Sequence, residues 1–347
     1  MATKFLDADG GADTYTTWAD WVSYMQSLTG LSSPEVVEFT SAREFNGGNA
    51  QLTGGTVSAT STNYIEIRPA AGKGMGGDLT YGSGARTLFD AINEEFYINW
   101  PHTTVSGIAV KKTATGATSG IAAVSITNSI TVHLNNVVVD CRVNSISCVD
   151  DRGSAAGTRQ NLLAVRASGN ASTFGYSISN TNKTYVNCGA VSLTLQSSGA
   201  GFRGYGAAPT FINCYSFNYS TDFVNSYSTN SRGNASEKAD GAAGEAVPAS
   251  GAVFSITSAE FNSSDFSTPD FRLASGGTKL LNGGINALGR TLDIYGQAVA
   301  ASAVDIGPHE YQSAPPPPPP PPPAASTVYP YNPLGNLVVD LGGLRYY

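Results

Sequence analysis

Apolar and polar residues alternate over short distances along most of this chain, and the apolar runs are brief. Val, Ile, Tyr and Thr dominate these runs, while Gly, Asn and Ser separate them. β-branched and aromatic residues between turn-forming residues are typical of strands rather than helices. The pattern predicts an all-β protein with strands at 36–39, 64–67, 96–99, 108–110 and 252–256, and a regular series of strands between 120 and 217.

A repeat of 26 residues runs through the regular section. Asn135, Asn161, Asn187 and Asn213 follow one another at this spacing, and segment 124–128 recurs after two periods as 176–180. A fixed period of this length marks a stacked repeat, and strand-forming units stack as the coils of a parallel β-solenoid. The alternative is a chance alignment in a chain that is rich in asparagine.

Equivalent side chains on neighbouring coils of a solenoid lie about 4.8 Å apart. Stacked asparagines bond one another and tolerate the left-handed backbone of a sharp bend. The sequence therefore predicts a structural ladder of the four asparagines. Alternation along each following strand predicts one inward-facing pair per coil: Asn136 and Val138, Leu162 and Ala164, Cys188 and Ala190, and Cys214 and Ser216.

Residues 14–28 break the strand pattern with apolar residues at helical spacing. Thr16 or Thr17 can cap the first turn and Gly30 can end the helix. The apolar face consists of Trp18, Trp21, Val22, Met25 and Leu28. We expect this helix, within an amino-terminal segment 1–30, to cover the open edge of the first coil. The alternative role for the two tryptophans is stacking on a sugar.

The balance of charge excludes some classes of partner. The chain has 347 residues, a net charge of −7 and 13% charged residues, so it has no basic surface for nucleic acid or an anionic membrane. It lacks an apolar run of about 18 residues, which argues against membrane insertion. Residues 1–9 lack the apolar core of a secretory signal. We therefore expect a protein that stays in a cytoplasm or leaves it by lysis.

The spacing of the four cysteines does not indicate a metal site, and it allows one disulfide. Cys188 and Cys214 lie one period apart, close enough in a solenoid for a disulfide, although buried free thiols fit the expected compartment better. Cys141 and Cys148 lack the spacing of metal ligands. The sequence predicts neither a metal site nor a cofactor.

Motifs near the carboxyl end carry a family resemblance. The segments TPDFRLASGG at 268–277, DIYG at 293–296 and DIGPHEY at 305–311 resemble the end of the choice-of-anchor Q group. That resemblance implies a right-handed parallel β-helix of the pectate-lyase-like superfamily, with a closure at 286–313. The resemblance also implies structural roles for Asp270, Arg272, Asp305 and Glu310. The strand pattern itself predicts the body of the solenoid at 31–285. Within the body, residues 228–251 interrupt the period and are predicted to form a surface excursion.

The composition changes after Tyr311. Residues 315–323 are all proline, which predicts a stiff polyproline II spacer within 314–325. Residues 326–347 are too few to bury their own apolar side chains, so the segment is predicted to dock on another protein, with folding back on the solenoid as the alternative. The docking residues are predicted to be Tyr329, Tyr331, Leu334, Leu337, Val338, Val339, Leu341, Leu344, Tyr346 and Tyr347.

Polysaccharide cleavage is the activity that the resemblance to right-handed β-helices suggests. It needs clustered carboxylates with a cation and a base, or two acids at a fixed separation. The local candidates are Asp140, Asp150, Asp151, Arg152 and Arg166. The Asp150-Asp151-Arg152 trio is predicted to be a solvated turn salt bridge. His102, His133 and His309 have no acidic neighbours at a useful spacing, so the sequence predicts no enzymatic activity.

A capped rod, a stiff spacer and a docking peptide together indicate a structural protein of a bacteriophage virion, exposed on the particle as a capsid decoration or fibre-like component. Its predicted partner is a capsid or tail protein bound by the carboxyl-terminal peptide, and a homo-oligomer, including a trimer, stays open. The alternative is a glycan-binding adhesin or depolymerase on a phage tail or a cell surface. Its stacking platforms would be Tyr205, Tyr215, Tyr219 and Tyr227.

Overall fold

The structure is a computed structural model of the chain. Both the polyproline spacer at 314–325 and the predicted docking peptide at 326–347 lie outside the residues that it describes. The described residues are 2–6, 14–40, 44–46, 51–55, 57–71, 88–90, 96–111, 122–126, 130–141, 147–153, 157–166, 174–179, 183–195, 199–205, 208–224, 227–239, 251–264, 270–285, 290–294, 297–299 and 304–311.

Short strands make up most of the regular structure in these ranges. The first twelve are β1 Ala2–Leu6, β2 Thr14–Tyr15, β3 Glu35–Phe39, β4 Glu44–Asn46, β5 Ile65–Pro69, β6 Leu88–Asp90, β7 Phe96–Ile98, β8 Thr103–Ser106, β9 Ala109–Lys111, β10 Ala122–Ile126, β11 Val132–Cys141 and β12 Ser147–Asp151. The others are β13 Gly157–Arg166, β14 Phe174–Ile178, β15 Lys183–Val186, β16 Gly189–Ser192, β17 Ala200–Gly204, β18 Thr210–Ile212, β19 Tyr215–Phe217, β20 Thr221–Val224, β21 Ala235–Ser236, β22 Phe261–Ser263 and β23 Asp270–Leu273. One α-helix, α1, spans Trp18–Ser27, and a 3₁₀ helix spans Ser258–Glu260.

The strands form a right-handed parallel β-helix, as the repeat and the resemblance predict. One sheet runs β7-β10-β12-β14-β17-β20, and its strands are all parallel. The other strands of the coils belong to a larger parallel sheet that bends along its middle, so each regular coil has three faces. Face 1 includes β15 and β18, face 2 includes β16 and β19, and face 3 is the six-stranded sheet.

A row of left-handed residues marks the bend between face 1 and face 2. Asn161, Asn187 and Asn213 have φ values of 52°, 53° and 53°. The row begins at Asn136, with φ of 55°, rather than at Asn135, so the predicted ladder was wrong at its first member. Asn135 instead lies on β11, opposite Ser106 and Gln160.

Two bonded pairs of side chains hold the row together. Asn161 Nδ2 donates to Asn136 Oδ1 at 2.7 Å, and Asn213 Nδ2 donates to Asn187 Oδ1 at 3.1 Å. The row is therefore bonded in two pairs, and between the pairs Asn161 Oδ1 and Asn187 Nδ2 have no hydrogen-bond partner among the described residues.

The interior of the coils is a continuous apolar core. Leu162, Ala164, Cys188 and Ala190 lie in it, as their spacing predicts. On the first coil the interior residues are Val137 and Val139 rather than Asn136 and Val138, because that bend lies one residue later than predicted. A column of stacked rings continues the core, formed by Tyr176, Phe202 and Phe223 with centroids 4.7 and 5.0 Å apart.

All four cysteines are buried thiols. Cys188 and Cys214 lie in the apolar core, on adjacent coils. They therefore act as small packing groups, which agrees with the preferred prediction for this pair.

Helix α1 places one face in the amino-terminal part of this core. The Thr17 hydroxyl accepts a bond from the Asp20 amide and caps the helix. Trp18 stacks on Phe39 with ring centroids 6.0 Å apart, and both tryptophans are buried, so neither is available to stack on a sugar. No helix in the described ranges has the length and apolar character of a membrane span.

Two predictions for the carboxyl-terminal half were wrong. Residues 228–239 are not a surface excursion, because β21 continues the parallel stacking of β19 and Gly233 takes the left-handed bend position with φ of 64°. Residues 240–250, the rest of the predicted excursion, lie outside the described residues. The predicted strand at 252–256 is reduced to a single bridge between Val253 and Ala235.

A second apolar core covers the outside of face 2. Leu163, Val165, Val191 and Phe217 point away from the interior and pack against the segment that follows the last regular coil. The covering side chains are Ile256, Phe261, Phe271, Leu273, Leu280, Ile294 and Ile306. Face 2 is therefore an internal surface of the protein.

Candidate functional site

Asp150 and Asp151 are the acidic pair that the sequence singled out, and they lie on β12 rather than in a solvated turn. That prediction was wrong, since Asp150 is 1% exposed and Asp151 is 0% exposed. Successive residues of a strand point to opposite sides. Asp150 faces out of the solenoid in line with Ser177 and Arg203, whereas Asp151 faces in. The two carboxylates cannot act together on one bound molecule.

Asp151 belongs to a buried ionic network inside the coils. Its Oδ2 atom lies 2.9 Å from Arg159 Nε and accepts a 2.8 Å bond from the Tyr185 hydroxyl. Lys183 Nζ lies 3.5 Å from the other carboxylate oxygen. Burial lowers the pKa of Lys183 and raises that of Tyr185 well above its usual value. A carboxylate held by two cations and a phenol stabilises the interior and is closed to solvent.

Outer residues of face 3 form a surface site that we call the Arg203 patch. It comprises three registered pairs from successive coils, together with Phe174: Asp150 and Arg152, Ser177 and Ser179, and Arg203 and Tyr205. A cavity of about 430 Å³ is lined by all of these residues except Arg203, and also by Ser147. Neighbouring rows are about 4.8 Å apart, so the acidic end and the Arg203 end are about 10 Å apart.

Two aromatic rings hold the guanidinium group of Arg203. Its Cζ atom lies 4.4 Å from the centroid of the Phe174 ring and 3.9 Å from that of the Tyr205 ring. These are cation–π distances. Tyr205 remains 47% exposed, which makes it one of the large apolar side chains that the described surface presents to solvent.

Asp150 supplies the acidic end of the patch. Arg152 Nε lies 2.6 Å from its Oδ2 atom, and Arg152 is 46% exposed. Burial raises the pKa of Asp150, and the nearby Arg152 opposes that effect. The pair therefore presents a neutralised carboxylate and a partly exposed guanidinium group.

The remaining candidates from the sequence lie elsewhere. Asp140 and Arg166 are fully buried. Of the four tyrosines proposed as stacking platforms, Tyr215 and Tyr219 are also buried, and Tyr227 is half-buried against the core. Tyr205 is the one that the structure leaves exposed.

His102 and His133 line a separate cavity of about 340 Å³ on face 1, with Tyr64 and three hydroxyl residues. Burial, followed by the positive charge of Arg159, lowers the pKa of His133. The imidazole of His133 is therefore neutral at physiological pH. Within the described ranges, no three His, Cys, Asp or Glu side chains are grouped closely enough to hold a metal ion.

The carboxyl-terminal motif residues bind backbone amides. Asp305 Oδ1 and Oδ2 accept bonds of 2.6 Å from the amides of Asn282 and Tyr311. Glu310 Oε2 accepts a bond of 3.2 Å from the Asp305 amide, and Arg272 Nε donates to Asp270 Oδ1 at 2.8 Å. These carboxylates tie the segment together and are positioned for a structural role.

Sequence reasoning missed Arg203 and Phe174. The repeat contains a signal for Arg203, since it lies one coil after Ser177 and two after Asp150 in the paired register. The coils differ by one or two residues in length at face 3. A strict 26-residue period therefore does not align Asp150 with Ser177 and Arg203.

Comparisons with known proteins identify no family for the chain. No protein-family model matches the chain, and no curated protein matches it. Among solved structures, the chain is similar to the crystal structure of pectate lyase Pel9A, with a TM-score of 0.33 and 12% sequence identity over 89% of this chain and 96% of that one.

Proposed function

We propose that this chain is a non-enzymatic structural protein of a bacteriophage virion. In this proposal the parallel β-helix projects from the particle as a decoration or fibre-like component, and residues 326–347 dock on a capsid or tail protein. The opposite orientations of Asp150 and Asp151 support the non-enzymatic part of this proposal. These two residues are the one adjacent pair of acids in the regular coils, and their carboxylates lie on opposite sides of the strand. The choice-of-anchor Q resemblance and the modular layout of the sequence support the virion part.

The bonding of the other acidic side chains supports the same conclusion. Asp151 is neutralised inside the coils, and Asp305 binds backbone amides. Asp222 accepts 2.6 Å bonds from the hydroxyls of Ser216 and Ser236. A carboxylate whose oxygens are already bonded within a rigid core is a poor general acid or base.

Deletion of residues 314–347 tests the docking role. We expect particles assembled with the truncated chain to lose the protein, while its circular dichroism and melting temperature stay unchanged. A matched full-length variant replaces Leu337, Val338, Val339, Leu341 and Leu344 by serine, which keeps the length but removes the apolar contacts. Unchanged incorporation of both variants would reject docking through the tail.

Glycan binding by the solenoid is a second candidate function. The exposed Tyr205 beside the guanidinium group of Arg203 favours it, because aromatic rings next to polar groups suit the mixed surface of a sugar. Binding of oligosaccharides without release of new reducing ends would support an adhesin, and release of reducing ends would instead indicate a depolymerase.

A further inference from the structure

We propose that the interior of the solenoid binds a small monovalent inorganic anion, such as chloride, through the guanidinium group of Arg166. The site lies inside the coils, at the carboxyl end of the face 2 strands. It is separate from the Arg203 patch and from the ionic network around Asp151. The inference goes beyond the proposed function, because it concerns an ion that stabilises the folded rod itself.

The alternation of β13 places Arg166 in the interior. Ala164 lies in the inner apolar core and Val165 in the outer one, so the side chain of Arg166 points inward again. In the paired register Arg166 lies between Cys141 on the preceding coil and Ser192 on the following coil. Its side chain is 0% exposed. The guanidinium group is therefore enclosed by the coils.

The described residues supply no partner for this buried charge. The Nε, Nη1 and Nη2 atoms of Arg166 are all buried and have no hydrogen-bond partner among those residues. Arg166 also takes part in none of the ion pairs found there. The equally buried Arg159, by contrast, lies 2.9 Å from a carboxylate oxygen of Asp151. A buried charge without a counter-charge strongly destabilises a protein, so Arg166 needs an anion that the described chain does not provide.

Neighbouring groups that could become negative stay protonated or point away. Burial raises the pKa of Tyr219 well above its usual value, and the charge of Arg166 opposes that shift. A bond from Cys141, followed by burial, raises the pKa of Cys148 in the same way, again against the charge of Arg166. The side chain of Asp140 lies on the outer side of face 2 by the same alternation. These groups therefore do not neutralise the guanidinium group at bonding distance.

The donors around Arg166 fit a small anion. The hydroxyl of Tyr219 is also buried and has no hydrogen-bond partner among the described residues. It lies beside Gly175, where an added methyl carbon would be 3.2 Å from it. A water molecule could accept bonds from these donors but would leave the charge uncompensated. A multivalent oxyanion would bring more negative charge than one guanidinium group offsets in an apolar core. The single positive charge therefore matches a monovalent ion.

The experiment compares the melting temperature of the full chain in sodium chloride, sodium bromide and sodium gluconate at equal ionic strength. Each sample is first unfolded in urea and refolded in its own salt, so that the ion is present while the coils form around the site. We expect the melting temperature to rise by about 2 to 4 °C for each tenfold increase in either halide above its dissociation constant. Gluconate should produce no such rise, because it is too large for the site.

Arg166→Met removes the charge while keeping a long unbranched side chain, and it should abolish the halide dependence. Arg152→Met is the matched control, because it removes a positive charge from a side chain that is 46% exposed. The control should keep the full halide dependence. An equal dependence in the unmodified protein and in Arg166→Met would indicate a general salt effect and overturn the proposal. Arg166→Met that is more stable than the unmodified protein in all three salts would overturn it as well.

Bromide also locates the ion directly, through its anomalous scattering in crystals of the unmodified protein refolded in bromide. We expect an anomalous peak beside the guanidinium group of Arg166. An ordered Arg166 without such a peak would overturn the proposal. This measurement needs no variant, so it decides the question even where Arg166→Met does not fold.

Discussion

Acidification should weaken the carboxyl-terminal closure through His309. The amide of Leu273 donates a 2.8 Å bond to His309 Nδ1, so this nitrogen must be unprotonated in the folded protein. Burial, with the positive charge of Arg272, lowers the pKa of His309 to about 4, while Asp270 opposes that shift. Asp293 lies 4.0 Å from the opposite nitrogen and Arg290 contributes further positive charge.

The sign and size of the effect follow from proton linkage. The unfolded chain binds a proton at His309 near pH 6.5, and the folded chain does so only near pH 4. The unfolded state therefore binds more protons between these values, and stability is lost as the pH falls through this window. From pH 7 to pH 5 the loss amounts to about 2 kcal/mol of unfolding free energy.

Urea unfolding at pH 7 and pH 5 measures this loss, and hydrogen exchange at the Leu273 amide reports it locally. His309→Asn is the matched variant, since the amide oxygen of asparagine can accept the same bond and does not titrate. Buried Asp305 has a raised pKa and contributes with the opposite sign, but it does so in both proteins. The variant should lose about 2 kcal/mol less than the unmodified protein. The same loss in both proteins would refute the role of His309.

Five further substitutions, at four positions of the coils, give three tests, each read from the denaturant midpoint. Asp151→Asn should lower the free energy of unfolding by about 3 to 5 kcal/mol, because it leaves two buried cations uncompensated. Asp150→Asn should lower it by about 1 kcal/mol or less. Equal losses would contradict the opposite orientations of the two carboxylates. Gly201→Ala should cost about 3 kcal/mol or more, since the added methyl carbon would lie 2.0 Å from the Ser216 hydroxyl, and a neutral result would contradict this packing. Asn213→Ala should cost about 3 kcal/mol through lost side-chain bonds and a left-handed backbone, and Asn213→Gly should recover part of that loss.

The repeat was legible in the sequence because every coil places its residues in the same surroundings. The bend needs a left-handed residue, and asparagine meets that need on four successive coils. The one-residue error at Asn135 arose from the Asn135-Asn136 doublet, since the period selects the first asparagine. Strand packing selects the second, because Val137 and Val139 then enter the core.

The bend is harder to follow where glycine replaces asparagine. Gly107 precedes the row and Gly233 and Gly251 follow it, all with left-handed φ values. Glycine adopts this conformation without a side-chain bond, so the asparagine pattern disappears while the structural position remains. The coil at 228–239 was therefore mistaken for an excursion.

The candidate site was hidden for a different reason. Asp150, Asp151 and Arg152 form a polar run, which local propensity assigns to a turn. The partners that bury Asp151 come from 8, 32 and 34 residues further along the chain. Only the stacked coils bring Arg159, Lys183 and Tyr185 to it, and pairing of this kind is not encoded in the local sequence.

The chain covers one of the three faces of the described solenoid itself, which limits where a ligand can bind. Face 2 is covered by the chain's own apolar side chains, and the asparagine row beside it bonds to the covering segment, through Asn161 to Leu292 and through Asn213 to Ile285. Face 1 and face 3 have cavities at the surface, one lined by His102 and His133 and the other by Asp150, Arg152 and Tyr205. The covering segment therefore occupies face 2, and the two cavities described above lie on the other two faces.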